Sequence, residues 1–221
     1  MKIKAIVTGA TGMVGEGVLH ECLLHPDVDE VLVINRKPCG VTHPKLAETI
    51  HADFFNLDPL REQLKGYNAC FFCLGVSSVG LKEEEFYKKT YVLTLHAAKV
   101  MSEENSEMTF CYISGAGTDS TEKGRAMWAR VKGKTENDLM KLPFKKVYNF
   151  RPGMLHPTKG LKNTLSYYTW FGWLYYILRV VAPKYVSTLK ELGLAMINAV
   201  RLGYPGSVLE VKDIVALAKL K

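Results

Sequence analysis

Gly9, Gly12 and Gly15 stand three residues apart where an apolar run, Ile3–Thr8, gives way to a segment of helical period. Glycine at the first position permits a sharp turn off a strand. At the second it removes a side chain where a diphosphate approaches, and at the third it lets a helix pack close to the sheet. The helix start then offers backbone N–H groups over Thr11, Gly12, Met13, Val14 and Gly15, backed by the positive end of the helix dipole. This is chemistry for the diphosphate of a dinucleotide. The spacing is G-x-x-G-x-x-G, with Ala10 where the commoner fingerprint has its second glycine.

Three further positions refine the ligand. The second strand ends at Asn35 and is followed by Arg36 and Lys37. An acidic residue at this point binds the ribose hydroxyls of NAD; a neutral residue followed by two cations suits a 2′-phosphate, so NADP(H) is expected ahead of NAD(H). Asp53, in Ala52-Asp53-Phe54, either accepts a hydrogen bond from an adenine amino group or caps the following turn. Leu74 and Gly75 end the fourth strand, where a residue without a side chain lets a cofactor cross the sheet edge.

The elements that must position these groups are legible as alternating patterns. Short apolar runs at 3–8, 30–35, 48–51, 69–74, 109–114, 146–150 and 208–211 read as strands. Helical periods lie between them at 12–25, 59–65, 83–102, 124–141 and 188–202. Strands alternating with helices imply βαβ units, hence a Rossmann-type, doubly wound parallel sheet with helices on both faces, in the α/β class. Residues 1–221 read as one NAD(P)-binding domain, with 154–205 forming a small C-terminal region that is a substrate lid or an interface.

In order along the chain, Thr8-Gly-Ala-Thr-Gly-Met-Val-Gly15, Cys73-Leu-Gly75, Tyr112-Ile-Ser-Gly115, Val131-Lys-Gly133 and Phe150-Arg-Pro-Gly153 resemble the short-chain dehydrogenase/reductase superfamily. The likeness is to its atypical branch of NAD-dependent epimerase/dehydratase-like, NAD(P)-binding proteins. It implies a catalytic serine after the fifth strand and a Tyr-x-x-x-Lys on the next helix. Ser114 takes the serine position and would contact a substrate carbonyl, and Lys132 takes the lysine position and would hold the nicotinamide ribose. Trp128 occupies the place of the tyrosine. Indole has one N–H donor and no useful acid–base equilibrium, so it either stacks on nicotinamide or substrate or packs under the sheet end. A proton would then have to come from Tyr91, Tyr112 or water. Arg151, Pro152 and Gly153 correspond to the segment beside the nicotinamide.

Composition excludes several other functions. Hydrophobic residues make up 48% of the chain and charged residues 23%, ordinary for a globular protein. The net charge of +7 is scattered, which fits an anionic cofactor better than nucleic acid. Cys70 and Cys73 lie three apart on a strand and point to opposite faces, so no metal site is expected. An odd count of five cysteines argues for a reducing compartment. Met1 runs into a strand without a secretory signal, and a cytoplasmic location is expected.

Residues 165–182 hold seven aromatics and one charge, Arg179. The stretch is too short and too interrupted to span a bilayer. It reads as a cap on a small, apolar substrate, as a homodimer interface, or as a peripheral membrane contact helped by Lys159, Lys162, Arg179 and Lys184, with the first two preferred. The functional expectation is an NADP(H)-binding oxidoreductase-like protein that moves hydride to or from a small apolar carbonyl or alcohol. The alternative is a non-catalytic NADP(H) sensor or regulator of the NmrA-like kind, favoured by the missing tyrosine.

Overall fold

In chain order, the fold runs β1 (Ile3–Thr8), α1 (Met13–Leu24), β2 (Val28–Asn35), β3 (Leu46–Ile50), α2 (Arg61–Leu64), β4 (Ala69–Phe72), α3 (Glu83–Tyr87), α4 (Leu93–Glu104), β5 (Thr109–Ile113), α5 (Met127–Leu139) and β6 (Lys146–Arg151). It continues with β7 (Met154–His156), α6 (Tyr167–Val181), β8 (Val186–Thr188), α7 (Leu189–Leu202), β9 (Val208–Glu210) and α8 (Val211–Leu217). These come from a computed structural model that describes residues 2–164 and 167–220, with backbone alone at 167–172.

Seven strands form one parallel sheet in the order β3-β2-β1-β4-β5-β6-β9. Its centre is buried on both faces, which explains why these strands read as near-continuous apolar runs. Alternate residues face opposite cores. Val31, Val33, Phe71 and Cys111 enter one, packed with α1, α7 and α8, while Leu32, Ile34, Cys70, Phe72 and Phe110 enter the other, packed with α4 and the end of α5. The sheet order reverses between β1 and β4, and ligands of such sheets bind beyond the carboxyl ends of the strands there.

The structure differs from the sequence reading at several element ends and adds β7, α6, β8 and α8, which the patterns did not mark. The last strand stops at Glu210 because α8 begins, held by a reciprocal cap in which Asp213 accepts the Glu210 N–H at 3.0 Å. α5 starts at Met127 rather than at Gly124. α3 and α4 form one continuous run, joined by a widened π turn at Lys88–Val92. Within 154–205, β7 and β8 make a two-stranded parallel sheet, and α7 is a layer helix of the main core rather than part of a lid. A Cβ on Gly17 would meet the Leu189 side chain at 3.0 Å, a measure of how closely α7 approaches α1.

Candidate functional site

The glycine loop has the geometry its spacing demands. Gly9 has φ +71°, and a Cβ there would lie 2.8 Å from the Cys73 carbonyl oxygen. A Cβ on Gly15 would lie 2.1 Å from the Gly9 carbonyl oxygen. Gly12 differs: its Cβ position meets nothing nearer than 3.5 Å, so packing does not require glycine there. Gly12 is also the N-cap of α1 and supplies no side-chain cap. Open space over an uncapped helix start fits a diphosphate. The loop is braced from below, where Asn35 Oδ1 accepts the Ala10 N–H at 3.1 Å and Thr8 Oγ1 accepts the Leu74 N–H at 3.2 Å. Asn35 is buried, so it serves the loop and leaves ligand contact to its neighbours.

Two hollows meet across Leu74, Gly75 and Val76. The larger, about 510 Å³, runs from Gly12–Gly15 past Cys73 and Ser77 to Gly115, Lys132, Pro152 and Gly153. The smaller, about 200 Å³, is bounded by Arg36, Asp53, Phe54, Lys89 and Leu93. A Cβ on Gly75 would find no atom within 4 Å, so the crossing is open. Most residues selected for cofactor binding therefore line one groove, with a basic, half-apolar pocket at one end and Lys132 at the other. Such a groove has room for an adenine and its phosphate beside Arg36, a diphosphate over α1 and a nicotinamide beyond.

Several side chains play other parts than expected. Asp53 Oδ1 accepts the Phe55 N–H at 2.9 Å, which makes it a turn-former as well as a lining residue. The Phe54 ring is in the core. Thr11 and Lys37 are exposed and line neither hollow. Arg151 is a correction: it is buried, not turned to the groove. Its guanidinium grips Glu136 (Nε to Oε1 3.0 Å, and Nη2 to Oε2), Ser120 Oγ (2.6 Å) and Glu210 (3.1 Å). Only its neighbours Pro152 and Gly153 face the cleft, and Gly153 is compelled, because a Cβ would lie 2.1 Å from the Tyr185 carbonyl.

Ser114 joins the same buried network. Ser114 lines the cleft, but its hydroxyl donates to Glu136 Oε1 at 2.5 Å and to the Phe150 carbonyl at 3.1 Å. The position that faces Lys132 is Gly115, whose Cβ would sit 4.0 Å from Nζ. Trp128 lies outside the lining residues of the cleft; its indole packs on Gly117, with Cη2 3.4 Å from the Cβ position there. Tyr91 donates to Asp138 at 2.8 Å on the outer side of α5, and Tyr112 is buried in the second core. Neither tyrosine lines the cleft. Gly133 permits the close approach of α5, since a Cβ would lie 1.8 Å from the Asp119 carbonyl oxygen.

Lys132 is the cation of the site. It is half-buried, donates to the Ser114 carbonyl, and burial pushes its pKa down to about 8 against the pull of Glu136. Burial of its charge costs stability at neutral pH. Between about 8 and a lysine's ordinary 10.5 the unfolded chain binds the extra proton, so stability contributed here rises with pH across that window. Lys132→Met is therefore expected to raise Tm at pH 7, a gain that shrinks toward pH 10 and that thermal melts at both pH values would check. Sequence reasoning missed Cys73, Ser77, Lys89 and Leu93, which reach the groove through loop and helix placement that no local pattern encodes.

The profile of the NAD dependent epimerase/dehydratase family matches residues 5–124. Among curated proteins, the chain is 28% identical over 170 residues to "Protein FMP52-1, mitochondrial" of Scheffersomyces stipitis, covering 74% of each chain. It is likewise 28% identical to "Protein FMP52, mitochondrial" of Debaryomyces hansenii, covering 74% of this chain and 73% of the relative. A UDP-N-acetylglucosamine 4-epimerase from Methanobrevibacter ruminantium M1 superposes with TM-score 0.68 at 16% identity, over 95% of this chain and 76% of that one. MoeE5, in complex with UDP-glucose and NAD, gives TM-score 0.67 at 15% identity, over 97% and 80%. At such identities the likeness shows the fold. The names of the curated relatives overturn the expected cytoplasmic location, because both are designated mitochondrial.

Proposed function

The chain belongs to the NAD-dependent epimerase/dehydratase family, and from that premise we propose that it holds NADP(H) along the groove and acts on a small, apolar carbonyl or alcohol. The observation that carries the reading is the continuity of the groove from Arg36, over Gly75 and the uncapped start of α1, to Lys132. In this reading Arg36 and Lys89 receive the 2′-phosphate, the amides of Met13 to Gly15 receive the diphosphate, and Lys132 donates to the nicotinamide ribose. Pro152 and Gly153 present backbone to the carboxamide. The bound cofactor supplies hydride chemistry. The mitochondrial designation of its relatives supports a mitochondrial setting as part of this proposal.

Three observations favour a second reading, a sensor that binds the cofactor without turning it over. The serine hydroxyl is committed to Glu136, the position facing Lys132 is glycine, and tryptophan replaces the tyrosine. Among the described residues, the proton-bearing side chains of the cleft are then Lys132, the Ser77 hydroxyl, the Ser114 hydroxyl engaged by Glu136, and the Cys73 thiol, which burial keeps protonated. The two readings separate in a reductase screen of small aldehydes and ketones. Turnover in the native protein that rises in Trp128→Tyr with Gly115→Ser supports the enzyme. NADPH binding with no turnover in either protein supports the sensor.

The affinity itself has an expected pH dependence. The charge on Lys132 is present below about pH 8 and is lost above it, whereas an ordinary lysine keeps its charge to 10.5. NADPH binding is expected to weaken as pH rises from 7 to 9.5, by up to about tenfold per unit where the lysine alone titrates. Fluorescence titration checks this, and Lys132→Met is expected to bind weakly with a flat profile.

A further inference from the structure

The aromatic segment 165–182, expected as a pocket cap, a dimer interface or a membrane contact, lies partly outside the described residues, and its second half carries the observations that follow. Of residues 173–181 in α6, whose side chains are described, none lines the cofactor groove. Tyr175 turns inward, its ring 4.4 Å from that of His156, and Arg179 ties the helix down through Glu191 and the Val186 carbonyl. The opposite face is left in solvent. Trp173 is 60% exposed, Tyr176 66% and Val180 82%, with Ile177 and Val181 also exposed. Steps of three and four residues from 173 to 180 put these side chains on one stripe. Tyr185, just beyond the helix, is exposed as well. A contiguous apolar face of this size on a folded chain marks an interaction surface.

Beside the end of this helix lies a hollow of about 460 Å³, lined by Arg179, Lys184, Lys212 and Lys219 with Pro183 and Val215. Arg179 is compensated by Glu191. Among the described residues, Lys184, Lys212 and Lys219 have no carboxylate within 4.0 Å; Lys184 Nζ instead lies over the Tyr185 ring at 5.1 Å. Positive charge uncompensated at the rim of an apolar stripe has a definite complement. An amphipathic helix rich in tryptophan and tyrosine lies in the plane of a bilayer with its apolar face at the acyl boundary, and neighbouring lysines meet acidic headgroups. A second copy of the chain would bring the same lysines toward each other, unless the two hollows were held apart.

We propose that the α6 face carrying Trp173, Tyr176, Ile177 and Val180 docks this protein on a membrane surface, with anionic phospholipid headgroups seated against Lys184, Lys212 and Lys219. No described helix is long and apolar enough to cross a bilayer, and docking in the plane requires none. The site shares no lining residue with the cofactor groove, and the proposal does not depend on which cofactor or reaction the groove serves.

The test is flotation of the full chain with vesicles of phosphatidylcholine alone and of phosphatidylcholine mixed with phosphatidylserine. Partitioning is expected to be at least about tenfold stronger on the mixed vesicles and to fall with added salt. Val180→Asp should abolish it, and Lys212→Glu should weaken it about fivefold or more. Both positions are on the surface, and unchanged thermal melts would show that the variants are folded. Absence of partitioning, or equal partitioning on neutral vesicles, overturns the proposal. So does a concentration-dependent dimer by light scattering that Val180→Asp dissociates while vesicle binding is absent.

Discussion

Replacing Arg151 with methionine is expected to destabilise the protein by about 3–5 kcal/mol, measured by denaturant unfolding at neutral pH. Glu136 is fully buried in α5, and the guanidinium is its charged partner. Removal of one member of such a pair strands the other without water, which costs far more than the pair contributes net. The Ser114 hydroxyl would remain on Glu136, a single hydrogen bond in place of a bidentate ion pair. Arg151 also ties β6 to the end of β9, where α8 is capped, through Glu210 and to the β5–α5 loop through Ser120, so its loss loosens three elements at once. Restoring neutrality with Glu136→Gln in the same chain should recover a good part of the loss. NADPH affinity of the folded variant should stay near that of the parent. A stable Arg151→Met that fails to bind NADPH would return Arg151 to the cofactor.

The second large effect separates two glycines of one loop. Gly15→Ala would place a methyl 2.1 Å from the Gly9 carbonyl oxygen, a backbone atom that cannot rotate aside. The loop must shift or the start of α1 must unwind, and a loss of about 2–4 kcal/mol in stability is expected. Gly12→Ala has ordinary clearance of 3.5 Å within the protein and should leave stability within about 1 kcal/mol of the parent. Its methyl nevertheless enters the space over the helix start. NADPH binding should therefore weaken by about tenfold or more in Gly12→Ala although the fold is intact. Thermal melts paired with NADPH titrations of both variants check the contrast.

The sheet was legible in the sequence because its central strands are buried on both faces, and apolar runs such as Ile3–Thr8 and Ala69–Phe72 have few other uses. The loop was legible because glycine at 9 and 15 answers a purely local steric demand. The side-chain partners of Arg151 and Ser114 were not legible in the sequence, for a common reason. Resemblance assigns a residue to a position along the chain, but which way a side chain turns depends on partners far away. For these two the partner is Glu136, on a helix whose interior carboxylate looks from sequence like any surface acid. Gly115 was invisible as a site position because only the path of the backbone shows that it, beside the Ser114 carbonyl, faces Lys132. α8 and the small β7–β8 sheet escaped because elements of three to seven residues carry too few periods to register.

The central claim is that one groove holds a dinucleotide, with Arg36 on its 2′-phosphate. It is tested most directly by fluorescence titration of NADPH and NADH into the native protein and into Arg36→Ala. The account predicts NADPH to bind at least about tenfold more tightly than NADH, and the difference to shrink to about threefold or less in Arg36→Ala, through loss of NADPH affinity alone. Equal affinities for the two cofactors in the native protein would contradict the assignment of Arg36, and binding of neither would contradict the groove.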